Sequence, residues 1–269
     1  MKTKIPNSPY PELPGVLDHL TQGVKEILGD NLVGSLATGG FDLDSDVDFL
    51  TVILHDLTDN DVQNLQEMHR NIHDQNCYPA KHLEGSYIPK DFLANEKTMI
   101  NEKIWYLDNG SRTLELSNHD NRWHVHWVLR ERGIRLWGPD SKTLCRPIPK
   151  SILDKDVIRV MNQVTDGFRE ELSQPLGFYN SRFGQSFVIL TMCRILQTLA
   201  SGTIESKLAG VNWAKKNLDD KWIELIDQAW QEREGVRFCI KIKQRAEQSL
   251  LEKTYKFIEY AQQCSRLEN

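Results

Sequence analysis

Residues 33–54 read VGSLATGGFDLDSDVDFLTVIL. A short apolar approach, Asn31-Leu32-Val33, precedes them, and Phe49 to Leu54 is an apolar, β-branched run. The pattern predicts a strand, a tight turn at Gly34-Ser35, a loop and a second strand. Side chains two apart on a strand share a face, roughly 6–7 Å apart along the backbone. Asp46 and Asp48 therefore aim together, while Val47 and Phe49 enter the core. Two ionised carboxylates on one face repel, and a divalent cation removes the conflict; Mg²⁺ takes oxygen ligands and keeps positions open for substrate phosphates. Gly34 permits close backbone approach, and Ser35 offers a hydroxyl and an N–H of the kind that hold phosphate oxygens. An Asp-x-Asp pair is common on solvated faces, but this one lies in an apolar run, where a carboxylate needs a partner or a metal. Asp42 and Asp44 read as turn formers.

The chain of 269 residues is long enough for one or two domains with a sizeable core. Hydrophobic content of 39% and charged content of 26% are those of a globular protein, and the net charge of −5 speaks against a broad nucleic-acid surface. The five scattered cysteines have no metal spacing and read as reduced thiols of a cytoplasmic protein. The N-terminus lacks the apolar core of a signal peptide, and no apolar run is read as approaching the length of a membrane span.

In chain order, residues 6–14 predict an extended lead-in and Val16 to Leu28 a helix. Asp59 to Gln75 predicts a second helix lying on the sheet through Val62, Leu65, Met68 and Ile72. Residues 82–88 predict a strand closed by Pro89, and Glu84 on it is a third carboxylate, suited to be a metal ligand or a general base. Trp105-Tyr106-Leu107 predicts another strand, and Asn118 to Arg132 a helix capped by Asn118. His119, His124 and His126 invite a metal reading, but two-residue spacing on a helix points side chains apart; His119 and Asp120 read as lining of an acceptor pocket. Pro147-Ile148-Pro149 is the best boundary, giving domains over 1–148 and 149–269. Beyond it Asp156 to Leu172, Gly184 to Ala200, Asp219 to Ala229 and Val236 to Cys264 predict a helical bundle, with Phe238 in its core. The Gly184 helix is apolar all round and so central; Arg194 within it must meet an anion, a domain carboxylate or a phosphate, and Lys207 is placed to reach the same charge.

A Gly-Ser followed by Asp-hydrophobic-Asp-hydrophobic resembles the signature of the DNA polymerase β-like nucleotidyltransferase superfamily. The stretch GSLATGGFDLDSDVDFLTV, and later LTMCRILQTLASGTIESKLAGVNWA, resemble more closely the aminoglycoside (3'')(9) adenylyltransferase family. The resemblance implies an α/β (α+β) nucleotidyltransferase domain with a small mixed sheet, then an all-α helical-bundle domain, with the site in the cleft between them. It implies Mg²⁺ on Asp46 and Asp48, with Glu84 beside them as the base that deprotonates the acceptor hydroxyl. Ser35 and Ser45 would meet phosphate, Arg194 and Lys207 would neutralise it, and Trp230 would neighbour the adenine. The expected reaction is transfer of AMP from ATP to a hydroxyl of a small molecule such as an aminoglycoside, as antibiotic-resistance enzymes do. The residues by themselves leave ATP and GTP both open. The family's acids just before the buried helix are missing: Tyr179 to Gly184 carries one arginine and no acid. Two rivals stand beside this reading, an enzyme of the same fold modifying a protein or RNA partner, and a non-catalytic nucleotide-binding module.

Overall fold

A computed structural model describes residues 8–38, 44–94, 100–174, 176–233 and 244–267. Asp42, Phe238 and Cys239 lie outside these. The chain divides into two compact units, Met1–Ile148 and Pro149–Asn269.

The first unit is built on a six-stranded sheet. Its strands are β1 (Leu32–Thr38), β2 (Val47–Ile53), β3 (Leu83–Pro89), β4 (Ile104–Leu107), β5 (Leu114–Ser117) and β6 (Ile134–Trp137), in the spatial order β5-β4-β3-β2-β1-β6. Among the described residues only β2 and β3 pair in parallel, and a parallel pair requires a crossover. Helix α2 (Asp59–His73) supplies it, started by a capping box between Thr58 and Asp61. Its stripe of Val62, Leu65, Met68 and Ile72 is buried, each side chain contributing roughly 1.5–3 kcal/mol. Together with α1 (Leu13–Leu28) it packs on Val47, Phe49, Ile53 and Tyr87. The opposite face carries Leu36, Leu50, Val52 and Ile88 under Leu129 of α5 (Trp123–Arg132). Short helices α3 (Tyr78–Lys81), α4 (Lys90–Ala94) and α6 (Ser141–Leu144) complete the unit.

Three expectations change. Gly34 and Ser35 are not a turn: β1 runs through them, pairing from Leu32 opposite Ile53 to Thr38 opposite Asp48. As a central strand between β2 and β6, β1 has its backbone groups paired on both sides, which outweighs the local preference of glycine. The helix expected from Asn118 starts at Trp123. Asn121 is buried, its Nδ2 donates to Glu102 O and its backbone carbonyl accepts from Asn101 N, and these tertiary bonds hold the segment before α5 out of the helix. The lead-in ends earlier than expected, because Pro14 sits in the first turn of α1, where a missing N–H costs nothing.

The second unit contains α7 (Lys150–Glu171), α8 (Arg182–Ser201), α9 (Lys207–Asn217), α10 (Ile223–Arg233) and α11 (Gln248–Leu267). The last helix was expected from Val236, but its described part starts at Gln248. Helix α8 is central, packing against the other four. Ser181 caps its start by accepting from Gly184 N, and Gly202 ends it at φ 72°. At 20 residues and a mean hydropathy of 1.2, α8 does reach the length of a membrane span, contrary to the sequence reading; 72% of that window is buried inside the unit, so it is a core helix.

Candidate active site

The carboxylates gather at one end of the sheet. In the parallel β2–β3 ladder Asp48 stands opposite Glu84, so both side chains rise from the face that carries Leu50 and Ile88. Asp46 lies just before β2, and its Oδ1 accepts from Asn109 Nδ2 at 2.5 Å. The Asn109 side-chain oxygen Oδ1 in turn accepts from His82 Nδ1 at 3.0 Å, so the amide that holds Asp46 is itself held.

Gly85 allows this register. An added Cβ there would lie 2.0 Å from the carbonyl oxygen of Phe49, so only glycine lets β3 close against β2 beside Glu84.

Glu84 is 17% exposed, and its Oε1 accepts from the Tyr106 hydroxyl at 2.5 Å. The same oxygen is 3.6 Å from His119 Nε2, and the His119 ring stacks on Tyr106 with centroids 5.1 Å apart. Burial pushes the Glu84 carboxyl up to about 7; Tyr106 and His119 oppose the rise, and the Asp46 and Asp120 carboxylates add to it. The Tyr106 phenol is pushed far above its ordinary value by burial and by Glu84. Asp120 accepts from Ser86 Oγ at 2.7 Å, and its carboxyl is raised, chiefly by burial.

Asp46, Asp48, Glu84, His119 and Asp120 thus belong to one neighbourhood of unit 1. Ser45 lies half-buried beside Asp46. Ser35 is placed elsewhere. It pairs with Thr51, on the face covered by α1 and α2, and its buried Oγ has no hydrogen-bond partner among the described residues. The expected phosphate contact from its hydroxyl does not fit this orientation. Gly34 is approached by protein, since the Gly138 Cα, at φ 88°, stands so near that an added Cβ there would lie 2.7 Å from Gly34 Cα.

Sequence reasoning missed Tyr106, Asn109 and Asp108 as site residues. Tyr106 was read as a strand residue, yet its pairing with Ser86 puts it on the Glu84 face. Alternation along a β3–β4 hairpin was the available signal.

Among the described residues, no group of three His, Cys, Asp or Glu side chains is gathered closely enough to hold a metal ion; neither His119, His124 and His126 nor the expected trio Asp46, Asp48 and Glu84 forms one. The donor set at the sheet end nevertheless suits a hard cation. It consists of carboxylate oxygens, and the Asp46 and Asp120 carboxylates raise the proton affinity of Glu84, a charge conflict that a divalent ion relieves.

In unit 2, Gly210 of α9 presses on α8 so closely that a Cβ would lie 2.9 Å from Arg194 Cγ. Lys207 is one turn earlier on α9, on the same side of the helix, so the half-buried Arg194 and Lys207 flank one helix contact. Trp230 is half-buried, with the Arg233 guanidinium 5.3 Å from its ring centroid. Arg182 pairs with Glu232 and donates to Gln244 Oε1 at 2.8 Å.

Residues 144–261 match the family described as aminoglycoside adenylyltransferase, C-terminal domain. Spectinomycin 9-adenylyltransferases from Staphylococcus aureus are 26% identical over 242 residues, covering 87% of this chain and 86% of theirs. A spectinomycin adenyltransferase from Enterococcus faecialis, crystallised with ATP and spectinomycin, shares the fold. Its TM-score is 0.67 at 18% identity, over 94% of this chain and 98% of that one. With a mixed sheet that presents acidic residues at one end and a helical second unit, the chain is similar to these adenylyltransferases, and its residues 144–261 carry the C-terminal domain of the aminoglycoside adenylyltransferase family.

Proposed function

We propose that the chain transfers AMP from ATP to a hydroxyl of an aminoglycoside-class acceptor, with spectinomycin the first candidate, and releases pyrophosphate. The observation that carries this reading is the register of β2 and β3, which sets Glu84 opposite Asp48 and next to the held Asp46. The relatives that act on spectinomycin support the choice of acceptor. We assign the chemistry to the domain over 1–148, with 149–269 as its helical partner domain.

Asp46 and Asp48 would hold Mg²⁺, which when bound supplies charge stabilisation to the triphosphate. Glu84 takes the proton of the acceptor hydroxyl. The hydroxyl oxygen forms a bond to the α-phosphorus, and the bond from that phosphorus to the bridging α–β oxygen breaks, its electron pair leaving with pyrophosphate. Ser45 is assigned to a phosphate oxygen, Arg194 and Lys207 to phosphate charge, and Trp230 to stacking on the adenine.

Mass spectrometry of spectinomycin and a panel of aminoglycosides, after incubation with the protein, ATP and Mg²⁺, tests the reading. An acceptor heavier by one AMP unit is the expected product. No adenylylated compound across the panel, with ATP still bound, would reject the antibiotic acceptor.

A further inference from the structure

We propose that Tyr106 and His119 clip one oxygen of Glu84, Oε1, so that the other, Oε2, is the atom that receives the acceptor proton. Tyr106 is then a positioning residue. The inference rests on the reading of Glu84 as the base and goes beyond it by naming the reacting oxygen and what aims it.

Both neighbours converge on the same atom. The Tyr106 hydroxyl donates to Oε1 at 2.5 Å and His119 Nε2 stands 3.6 Å from it. Among the described residues no hydrogen bond reaches Oε2. The two rings form one unit, stacked at 5.1 Å with 24° between their planes.

Tyr106 is only 3% exposed, and its backbone is fixed by pairing with Ser86, so its hydroxyl has no freedom to swing away. Its single proton faces two carboxylates, Glu84 Oε1 at 2.5 Å and Asp108 Oδ1 at 3.1 Å. The shorter contact, to Glu84, takes the proton. His119, 61% exposed, closes the outer side of the same oxygen. A carboxylate free to turn would offer either oxygen at poor angles. One held by a charge-assisted hydrogen bond presents its second oxygen in a set direction, the kind of orientation on which proton abstraction depends.

The test is Tyr106→Phe, which keeps the ring, its packing and the stack with His119 but removes the hydroxyl. Two readouts are needed, kinetics of AMP transfer and crystal structures of both proteins. The expected result is a fall in kcat of about 10- to 100-fold with KM for ATP unchanged, the size of a lost hydrogen bond to a charged group. The crystal structure of the variant should show the Glu84 carboxylate turned or divided between two orientations. An unchanged kcat, or a Glu84 carboxylate oriented as in the wild type, would overturn the proposal. Should the wild-type protein transfer no AMP, the reading of Glu84 as the base fails, and the orientation of Glu84 in the two crystals still decides whether the clip exists.

Discussion

Glu84 and His69 show how one physical cause, burial, gives opposite results in an acid and a base. Burial raises the Glu84 carboxyl, and it lowers His69 to about 3. His69 hydrogen-bonds the Tyr87 hydroxyl at 2.8 Å inside the α2-covered core. In the folded protein His69 stays neutral, whereas in the unfolded chain it takes a proton below its ordinary value of 6.5. Its contribution to stability is therefore complete above that value and is lost as the pH falls toward 3, at up to about 1.4 kcal/mol per pH unit. Urea unfolding of His69→Gln is expected to lose much of this acid sensitivity; an acid limb as steep as in the wild type would exclude His69 as its source. At the same scale, Glu84→Gln is expected to lower kcat by about 10²–10⁴-fold, as for removal of a general base, while calorimetry shows ATP bound with little change. Loss of ATP binding in that variant would make Glu84 a nucleotide-binding residue instead.

Elements were legible where one pattern dominated. The stripe of α2, the all-apolar α8 and the strand ending at Pro89 each announce themselves by period or composition. What escaped the sequence was decided by partners distant in the chain. Gly34-Ser35 has turn composition but is paired on both edges. Residues 118–122 have helical composition but are kept out of the helix by the bonds from Asn121 to Asn101 and Glu102. Asp46, Asp48 and Glu84 could be singled out, since acids in apolar runs stand out locally, whereas Tyr106 and Asn109 look ordinary until β4 is laid beside β3. Two element-scale consequences can be measured. Gly85→Ala is expected to cost about 3 kcal/mol in urea unfolding because a methyl must force β2 and β3 apart; a cost near zero would mean the strands separate freely there. Ser181→Ala removes the cap of α8 and should cost about 1 kcal/mol, and no change would show that α8 is held by packing alone.

For the whole molecule, a sheet unit is followed by a helical unit, and the likeness to a solved adenyltransferase spans 94% of the chain. Fold alone does not fix an acceptor, and Arg182, the one charged residue of the stretch Tyr179 to Gly184, is bound to Glu232. The sheet end is where the account is most exposed to test, because three carboxylates are assigned one shared task. The decisive measurement is pyrophosphate release from ATP with Mg²⁺ and spectinomycin, made on the wild-type protein and on Asp48→Asn. Acceptor-dependent release by the wild type, reduced at least about 100-fold in the variant, is the expected result. Release that persists at the wild-type rate in Asp48→Asn would contradict the account, since the strand register would then have no part in the chemistry.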